Sequence, residues 1–202
     1  MQTKLHLQRL QRMCLILTNI QNISSFLPKQ DNIFLFDTNV LIKIFYPALG
    51  AQNSAPYIKM YQDIKKAHAT LLISSIQISE FVNRCIRFQF DLYKESHPEV
   101  VNFKEDYRNT DDYKECMDAI LEIIENDIFT SFKRVDDNFT TMNVNNLCMH
   151  SFSYDFNDAF IAEISRLYKT FLVTDDKDYA NYLKDLKIIT NNRTLLMFQT
   201  HK

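Results

Sequence analysis

The sequence predicts an α/β protein in which helices cover both faces of a parallel sheet. Three short runs are apolar throughout instead of alternating with polar residues, which is typical of strands that are buried on both faces. These runs are Ile33–Phe36, Thr70–Ile73 and Thr170–Val173. Segments with helical periodicity lie between them, as an alternation of strands and helices requires.

Three helices are predicted where apolar residues recur at three- and four-residue spacing. Their apolar positions are Ile76, Val82, Ile86 and Phe90; Met117, Ile120, Leu121, Ile124 and Ile128; and Phe160, Ile161, Ile164, Leu167 and Tyr168. Near the end of the chain, Lys187–Thr190 and Thr194–Phe198 are predicted to form short edge strands.

The first residues form a separate helical segment in this interpretation. Residues 3–21 carry a regular apolar stripe made by Leu7, Leu10, Cys14 and Leu17. We favour packing of this stripe on the domain's own surface, and the alternative is a homodimer or partner contact, since two heptads are too few for an autonomous coiled coil. We divide the chain into an N-terminal helical extension, 1–30, and an α/β domain, 31–202. Residues 91–155 are long for a connection and are predicted to be a helical insertion.

Composition narrows the class of protein. The chain has 202 residues, 46% hydrophobic and 24% charged, as in ordinary folded proteins. Its net charge of -2 means that nucleic acid would have to bind locally or with the help of a metal. The single glycine, Gly50, excludes phosphate loops built from several glycines.

Cysteine spacing and hydropathy exclude further classes. The four cysteines have no paired spacing, so a zinc site is not expected: Cys14, Cys85, Cys116 and Cys148. The apolar run Met13–Leu17 is too short for a signal peptide, and no stretch approaches a membrane span. A cytoplasmic protein with reduced thiols is therefore expected.

Two acidic residues follow apolar strands directly or nearly so. Asp37 comes after the first strand, and Asp176 lies in an acidic segment after the third. In an open parallel sheet the carboxyl ends of the strands line the ligand crevice, so a carboxylate there faces the ligand. For Asp37 alone, a helix N-cap in Asp37-Thr38-Asn39 is an equally good interpretation. The repetition at a second strand end favours a functional site.

Two more acids are placed at the start of predicted helices. Glu80 lies one to two turns into the helix after the second strand, and Asp158 opens the helix built on Phe160. The structural alternatives are an ion pair of Glu80 with Arg84 and compensation of the helix dipole by Asp158. Four carboxylates at one edge repel one another and need a cation to coexist. Hard oxygen ligands favour Mg²⁺ or Mn²⁺.

At this point the sequence resembles the PIN-domain family in four ordered motifs. The first is Phe34–Ile42 (FLFDTNVLI), the second Ser74–Phe81 (SSIQISEF), the third Asn157–Ala162 (NDAFIA) and the fourth Leu172–Tyr179 (LVTDDKDY). The first and fourth motifs are fairly specific in this order, and the second is weak on its own. The resemblance extends from about residue 33 to residue 197.

The resemblance implies a three-layer α/β/α sandwich with a central parallel sheet and a metal-dependent ribonuclease. Carried over residue by residue, the metal-binding and catalytic acids are Asp37, Glu80, Asp158 and Asp176, with Asp178 as an additional or alternative metal ligand. Thr38 and Thr174 would orient these acids by hydrogen bonds. Asp175 has no counterpart in the motif and could be a surface residue.

The resemblance also implies the partners. RNA would be the substrate, and Lys43, Arg84 and Arg87 could contact its phosphates, although arginines on an amphipathic helix are more often solvated or ion-paired. Many similar bacterial proteins are toxins of toxin–antitoxin pairs, inhibited by an antitoxin protein. This chain departs from compact toxins in its N-terminal extension and in the 91–155 insertion.

Two other functions remain open at the level of the sequence. One is a phosphohydrolase with Asp37 as nucleophile, but such enzymes place a second Asp two residues later, where this chain has Asn39. The other is a non-catalytic scaffold of the same fold that binds RNA or protein. The presence of all four acids, Asp37, Glu80, Asp158 and Asp176, argues against the scaffold.

Overall fold

A parallel sheet forms the centre of the protein. The computed structural model describes residues 20–148, 154–182 and 185–198. Within them the sheet has six strands, all paired in parallel. The strands are β1 (Ile20–Asn22), β2 (Ile33–Phe36), β3 (Thr70–Ile73), β4 (Lys133–Arg134), β5 (Phe171–Val173) and β6 (Lys187–Thr190).

The order of the strands is β1-β6-β5-β2-β3-β4, so β2 and β5 lie in the middle. Leu35 of β2 pairs with Leu72 of β3 on one side and with Leu172 of β5 on the other. The carboxyl ends of β2, β3 and β5 therefore meet at one edge of the sheet.

Helices connect the strands and cover both faces of the sheet. They are α1 (Thr38–Phe45), α2 (Pro47–Gly50), α3 (Ala55–Lys66), α4 (Ser75–Ser96), α5 (Asp111–Ile123), α6 (Phe129–Ser131), α7 (Val144–Leu147), α8 (Phe156–Leu167) and α9 (Arg193–Leu196). Short π-helical turns cover Phe103–Tyr107 and Ile124–Ile128, and 3-10 turns cover Phe139–Thr141 and Lys177–Tyr182.

The core has two halves, because successive side chains of a strand point to opposite faces. Phe34 and Phe36 pack with α1, α3, α4 and α5 on one face. Leu35 packs with α7, α8 and α9 on the other face. The predicted three-layer α/β/α class with a central parallel sheet is confirmed.

The predicted strands and helices of the centre are confirmed, with corrections near the ends of the chain. Lys187–Thr190 is a strand, but it lies between β1 and β5 instead of at an edge. Thr194–Phe198 was expected to be a strand, and this expectation is wrong. Asn192 caps helix α9 there, because its side chain accepts hydrogen bonds from the backbone N–H groups of Thr194 and Leu195.

The N-terminal helix prediction is wrong at its last two residues. Residues 20 and 21 belong to β1, which pairs with β6 along Ile20–Asn22. Residues 1–19, with most of the predicted helix and Cys14, lie outside the described residues. Ile20 and Ile23 are buried against the domain, so at least this part of the predicted extension packs on the sheet.

The 91–155 segment contains helices and also an edge strand. Helix α4 continues to Ser96, α5 follows, and β4 pairs with β3 at the edge of the sheet. Aromatic rings hold the segment to α4, with Phe90 and Phe103 at 5.4 Å and Phe90 and Tyr107 at 5.3 Å between ring centroids. The division of the chain into extension, domain and insertion stays a prediction.

The single glycine permits a close approach between two helices. A Cβ atom at Gly50 in α2 would lie 2.7 Å from the backbone N and Cα of Lys43 in α1. Real Cβ contacts are not this short, so any larger residue must push α2 away from α1.

No helix within the described residues is both long enough and apolar enough to cross a membrane.

Candidate active site

Four of the predicted acids lie at the carboxyl edge of the sheet. Asp37 follows β2, and Asp176 lies three residues after the end of β5. Glu80 is on the second turn of α4, which starts after β3, and Asp158 is on the first turn of α8. We call Asp37, Glu80, Asp158 and Asp176 the acid set.

Asp37 is the buried centre of the acid set, with 4% of its surface exposed. One carboxylate oxygen accepts hydrogen bonds from the backbone N–H of Thr38, at 2.7 Å, and from the Tyr179 hydroxyl, at 3.4 Å. The other oxygen accepts the Thr174 hydroxyl at 2.8 Å. Asp37 is also the N-cap residue of α1. It is therefore both a helix cap and a member of the acid set.

Thr38 connects Asp37 to Glu80. Its hydroxyl donates to the Glu80 carboxylate at 2.9 Å, which fixes α4 relative to the start of α1. The Arg84 guanidinium lies 3.9 Å from the other Glu80 oxygen, at the limit of an ion pair, and the Arg84 side chain is exposed. Glu80 is therefore held by its hydrogen bond with Thr38 inside the site, and its contact with Arg84 at the surface is weak.

The turn after β5 arranges its acids through backbone hydrogen bonds. The N–H of Asp176 donates to the Thr174 hydroxyl at 2.9 Å, and the N–H of Asp178 donates to the Asp176 carboxylate at 2.8 Å. Because Thr174 also donates to Asp37, this one hydroxyl joins two members of the acid set. Asp178 is half-buried on the following turn.

Helix α8 begins at a different acid from the one that the sequence suggested. Asp155 is its N-cap, and its carboxylate accepts the backbone N–H groups of Asn157, at 2.7 Å, and Asp158, at 3.3 Å. Asp158 is thus free of the capping role and lies half-buried on the first turn.

The pKa values in the acid set rise because carboxylates are buried close to one another. Burial, and then the charges of Glu80 and Asp176, raise the pKa of Asp37 to about 7, although the Thr174 hydrogen bond acts in the opposite direction. Burial and the charge of Asp37, followed by those of Asp176 and Asp155, raise the pKa of Asp158 to about 8. Burial also raises the pKa of Glu80, against the Thr38 hydrogen bond and the Arg84 charge.

The donor chemistry of the acid set fits a hard divalent cation. Its ligand atoms are carboxylate oxygens whose mutual repulsion a cation would relieve. As they stand, however, no three Asp, Glu, His or Cys side chains within the described residues form a group that could hold a metal ion. Binding would require these carboxylates to move closer together.

A second network holds the turn after β5 from the outside. The Asp175 carboxylate is 3.2 Å from the Lys43 ammonium and accepts the Tyr57 hydroxyl at 2.7 Å. Its backbone N–H donates to the Asn39 side chain, and its carbonyl accepts from the Asn192 side chain. Asp175 is half-buried, and each of its carboxylate oxygens has a partner.

The predicted phosphate contacts are only partly near the acid set. The Lys43 ammonium forms an ion pair with the Asp175 carboxylate and donates a hydrogen bond to the Gln52 carbonyl. Arg84 is beside Glu80. Arg87 lies farther along α4, with its guanidinium 3.8 Å from the centre of the Phe103 ring in the insertion.

Two residues of the site were not singled out from the sequence, Asp155 and Tyr179, and Asp175 was considered only as a surface residue. Tyr179 closes the fourth motif, and Asp175 follows a strand end as Asp37 does, so both had a positional signal. Asp155 had a capping signal three residues before Asp158. The partners of Tyr179 and Asp175 lie far away in sequence, which is why the roles of these two residues were not evident.

Comparison with known proteins gives little beyond the fold. No protein-family model matches the chain, and no curated protein matches it. Among solved structures, the chain is similar to VapBC2 from Rickettsia felis, bound to a DNA fragment from their promoter. The identity is 15% and the TM-score 0.44, over 78% of this chain and 98% of that one. This likeness assigns neither a family nor an activity to the chain.

Proposed function

We propose that this chain is a metal-dependent endoribonuclease that hydrolyses RNA phosphodiester bonds at the acid set. The observation that carries the proposal is the burial of Asp37 at a strand end, with a raised pKa, among the charges of Glu80, Asp158 and Asp176. Carboxylates that are buried close together repel one another when charged, and a cation would relieve this repulsion. The four PIN-like motifs supply these same acids.

The roles follow from the contacts of each acid. Asp37 and Asp176 share the Thr174 hydroxyl and would bind the ion from the two central strands, with Glu80 oriented by Thr38 and Asp178 as an additional ligand. When bound, Mg²⁺ or Mn²⁺ lowers the pKa of a water and neutralises charge at the phosphate. Asp158, on the first turn of α8, would be a further ligand of the ion or would accept the proton of the attacking water.

The non-catalytic scaffold is the second candidate, because no three of the acids are gathered as ligands in the described residues. The phosphohydrolase with Asp37 as nucleophile is disfavoured. Such enzymes place a second Asp two residues after the nucleophile, and this chain has Asn39 there, whose side chain accepts the backbone N–H of Asp175.

The test is cleavage of a fluorescently labelled single-stranded RNA in Mn²⁺, in Mg²⁺ and in EDTA, together with calorimetric titration of Mn²⁺. We expect cleavage that depends on the metal and saturable Mn²⁺ binding. A protein that binds no Mn²⁺ and leaves RNA intact, yet retains RNA in a filter-binding assay, would favour the scaffold.

We propose further, on the motif resemblance alone, that the nuclease acts as the toxin of a toxin–antitoxin pair. Induced expression in a bacterium should then arrest growth, and the Asp37→Asn variant at the same protein level should not. Equal growth of both cultures would contradict the toxin role without affecting the nuclease assignment.

A further inference from the structure

A cavity of about 410 Å³ lies at the carboxyl ends of β3 and β4, beside the acid set. Ile73, Ile78 and Val135 are apolar residues of its lining, to which Phe129, Arg134 and Ser79 also belong. Ligand sites are commonly apolar cavities of this order of size with a few polar groups.

The cavity is within reach of a nucleic acid bound at the acid set. Arg134 pairs with Ile73, and the register of β2 with β3 places Ile73 beside Phe36, the residue before Asp37. Arg134 is therefore two strands away from Phe36, about 10 Å at the usual strand spacing. Ser79 also directly precedes Glu80 on α4. This separation suits a nucleotide next to the one whose phosphate would be cut.

Arg134 is available to a ligand. Its guanidinium lies 5.1 Å from the centre of the Phe129 ring, and Phe129 itself is 38% exposed. The Arg134 side chain has no ion pair or hydrogen bond to any other described residue. An unpaired planar cation beside an exposed aromatic ring, with apolar walls behind it, matches a flat heteroaromatic ring attached to a phosphate.

We propose that this cavity binds a nucleobase of the single-stranded RNA substrate, a nucleotide next to the scissile phosphate; this rests on the proposed function. The base lies against Ile73, Ile78 and Val135 and contacts the Phe129 ring. The Arg134 guanidinium pairs with the adjoining phosphate, where the neighbouring carboxylates would otherwise repel it. The Ser79 hydroxyl reaches the edge of the base.

The experiment measures binding of a labelled RNA octamer by fluorescence anisotropy in EDTA, where nothing is cut, and repeats it with Mg²⁺ on Asp37→Asn. Arg134→Met and Phe129→Ala should each weaken binding about 5- to 100-fold, the range that one stacked base contributes. An octamer with one abasic site, moved along the strand, should bind the parent weakly at one position. Phe129→Ala, which loses a base contact, should reduce this dependence on position, whereas Arg134→Met, which loses the phosphate contact, should keep it.

Arg108→Met is the matched control. Arg108 lies 5.2 Å from the centre of the Phe103 ring in the insertion, so the substitution removes the same charge and the same kind of contact away from the cavity. It should leave RNA binding unchanged. Thermal melts of all variants check that each is folded.

The outcomes separate this inference from the proposed function. If the parent does not cut RNA but its RNA binding depends on Phe129 and on one abasic position, the cavity stands as a base site and hydrolysis is wrong. If the parent cuts RNA and Arg134→Met binds and cuts as Arg108→Met does, the cavity is not a base site. An RNA affinity that is independent of every abasic position also overturns it and favours a protein side chain as occupant.

Discussion

Two features of Asp37 act in opposite directions on the charge of its carboxyl group. It caps α1 with its carboxylate, which favours the charged form, and it is buried among other acids, which disfavours that form. Three hydrogen-bond donors hold it in place. The balance leaves the pKa of Asp37 at about 7, well above its ordinary value of 3.8.

Asp37→Asn should separate stability from activity. The amide keeps the size of the side chain and can still accept the Thr38 N–H, while one charge leaves a cluster of like charges. In EDTA the variant should melt at the same temperature as the parent or a few degrees higher. RNA cleavage in Mn²⁺ should fall by at least about 100-fold, since an amide is a poorer ligand for a hard cation.

The control is Asp91→Asn, which removes the same charge from an exposed ion pair with Lys94. Its cleavage rate and melting temperature should equal those of the parent. Undiminished cleavage by Asp37→Asn would remove Asp37 from the active site.

The raised pKa values of Asp37 and Asp158 predict how metal-free stability depends on pH. Because their pKa values in the folded state, about 7 and about 8, exceed the ordinary 3.8, the folded protein holds protons that the unfolded chain releases. Their contribution to stability is fully present below about pH 4 and is lost as the pH rises through about 7 and 8. The free energy of unfolding in EDTA should therefore fall between about pH 5 and pH 9.

Urea denaturation at several pH values measures this slope. Asp158→Asn removes one of the two titrations and should flatten the slope, whereas Asp91→Asn should not. Added Mg²⁺ should stabilise the parent more at high pH than at low pH, because the ligands are then ionised. Stability that stays constant or rises over this range would show that the two carboxyls are not buried as described.

At the scale of elements, the turn after β5 is held between two networks. Inside, Thr174 reaches Asp37, and outside, Asp175 pairs with Lys43 of α1 and Tyr57 of α3. The Tyr57 hydroxyl also accepts the N–H of Asn191, after β6. One acidic side chain thus ties two helices to two strand ends, and it sets the position of Asp176.

Lys43→Met should destabilise the protein by about 1–2 kcal/mol. This is less than the loss for a fully buried pair, because the Asp175 side chain keeps 21% exposure and the Lys43 side chain 13%. Asp175→Asn should cost a similar amount, and the double variant should cost less than the sum, since both remove one interaction. Urea denaturation measures all three.

Lys94→Met breaks the exposed pair with Asp91 and serves as the control, with a change within about 0.5 kcal/mol. Additive effects of the Lys43 and Asp175 substitutions would mean that the ion pair does not couple the two residues.

The contact of α2 with α1 leads to a separate prediction for Gly50→Ala. The added methyl group meets the backbone of Lys43 at 2.7 Å, so α2 must shift. We expect a loss of about 1–3 kcal/mol, as for other overpacked contacts, in spite of the better helix propensity of alanine. Ala48→Ser, at an exposed position of α2, is the control. A Gly50→Ala variant that melts at or above the parent temperature would contradict the close approach.

At the scale of the whole molecule, β1 extends the sheet on the side away from β3 and β4. It pairs with β6 through Ile20–Asn22, and the backbone N–H of Ile23 donates to the Thr190 carbonyl. Ile20 and Ile23 are buried in different halves of the core. The segment before β2 thus contributes one side chain to each half of the core.

Two nested deletions test what the N-terminal residues contribute. Deleting residues 1–27 removes β1, exposes the edge of β6 and uncovers apolar surface, so the melting temperature and the solubility should fall. Deleting residues 1–19 keeps β1, and the difference between the two variants measures the strand. Light scattering of the shorter deletion against the full chain shows whether residues 1–19 control oligomeric state; equal melting of both deletions would mean that β1 is dispensable.

The sequence by itself determined the elements whose signals are local. Apolar runs predicted β2, β3 and β5, because a strand buried on both faces has few polar positions. Lys187–Thr190 was predicted as a strand but at an edge, and acids at strand ends predicted where the acid set lies. The sequence did not predict β1, which has only three residues, or helix α9, whose start depends on the Asn192 cap.

Only the tertiary structure decided the partners and the electrostatics. Thr174 and Asp37 are 137 residues apart in the chain, and Tyr57 and Asp175 are 118 apart, so neither hydrogen bond has a local signal. Lys43 contacts Asp175, and Arg87 lies over the Phe103 ring, contacts that also have no local signal. Burial and the distances between charges set pKa values, and both exist only once the sheet has brought its strand ends together.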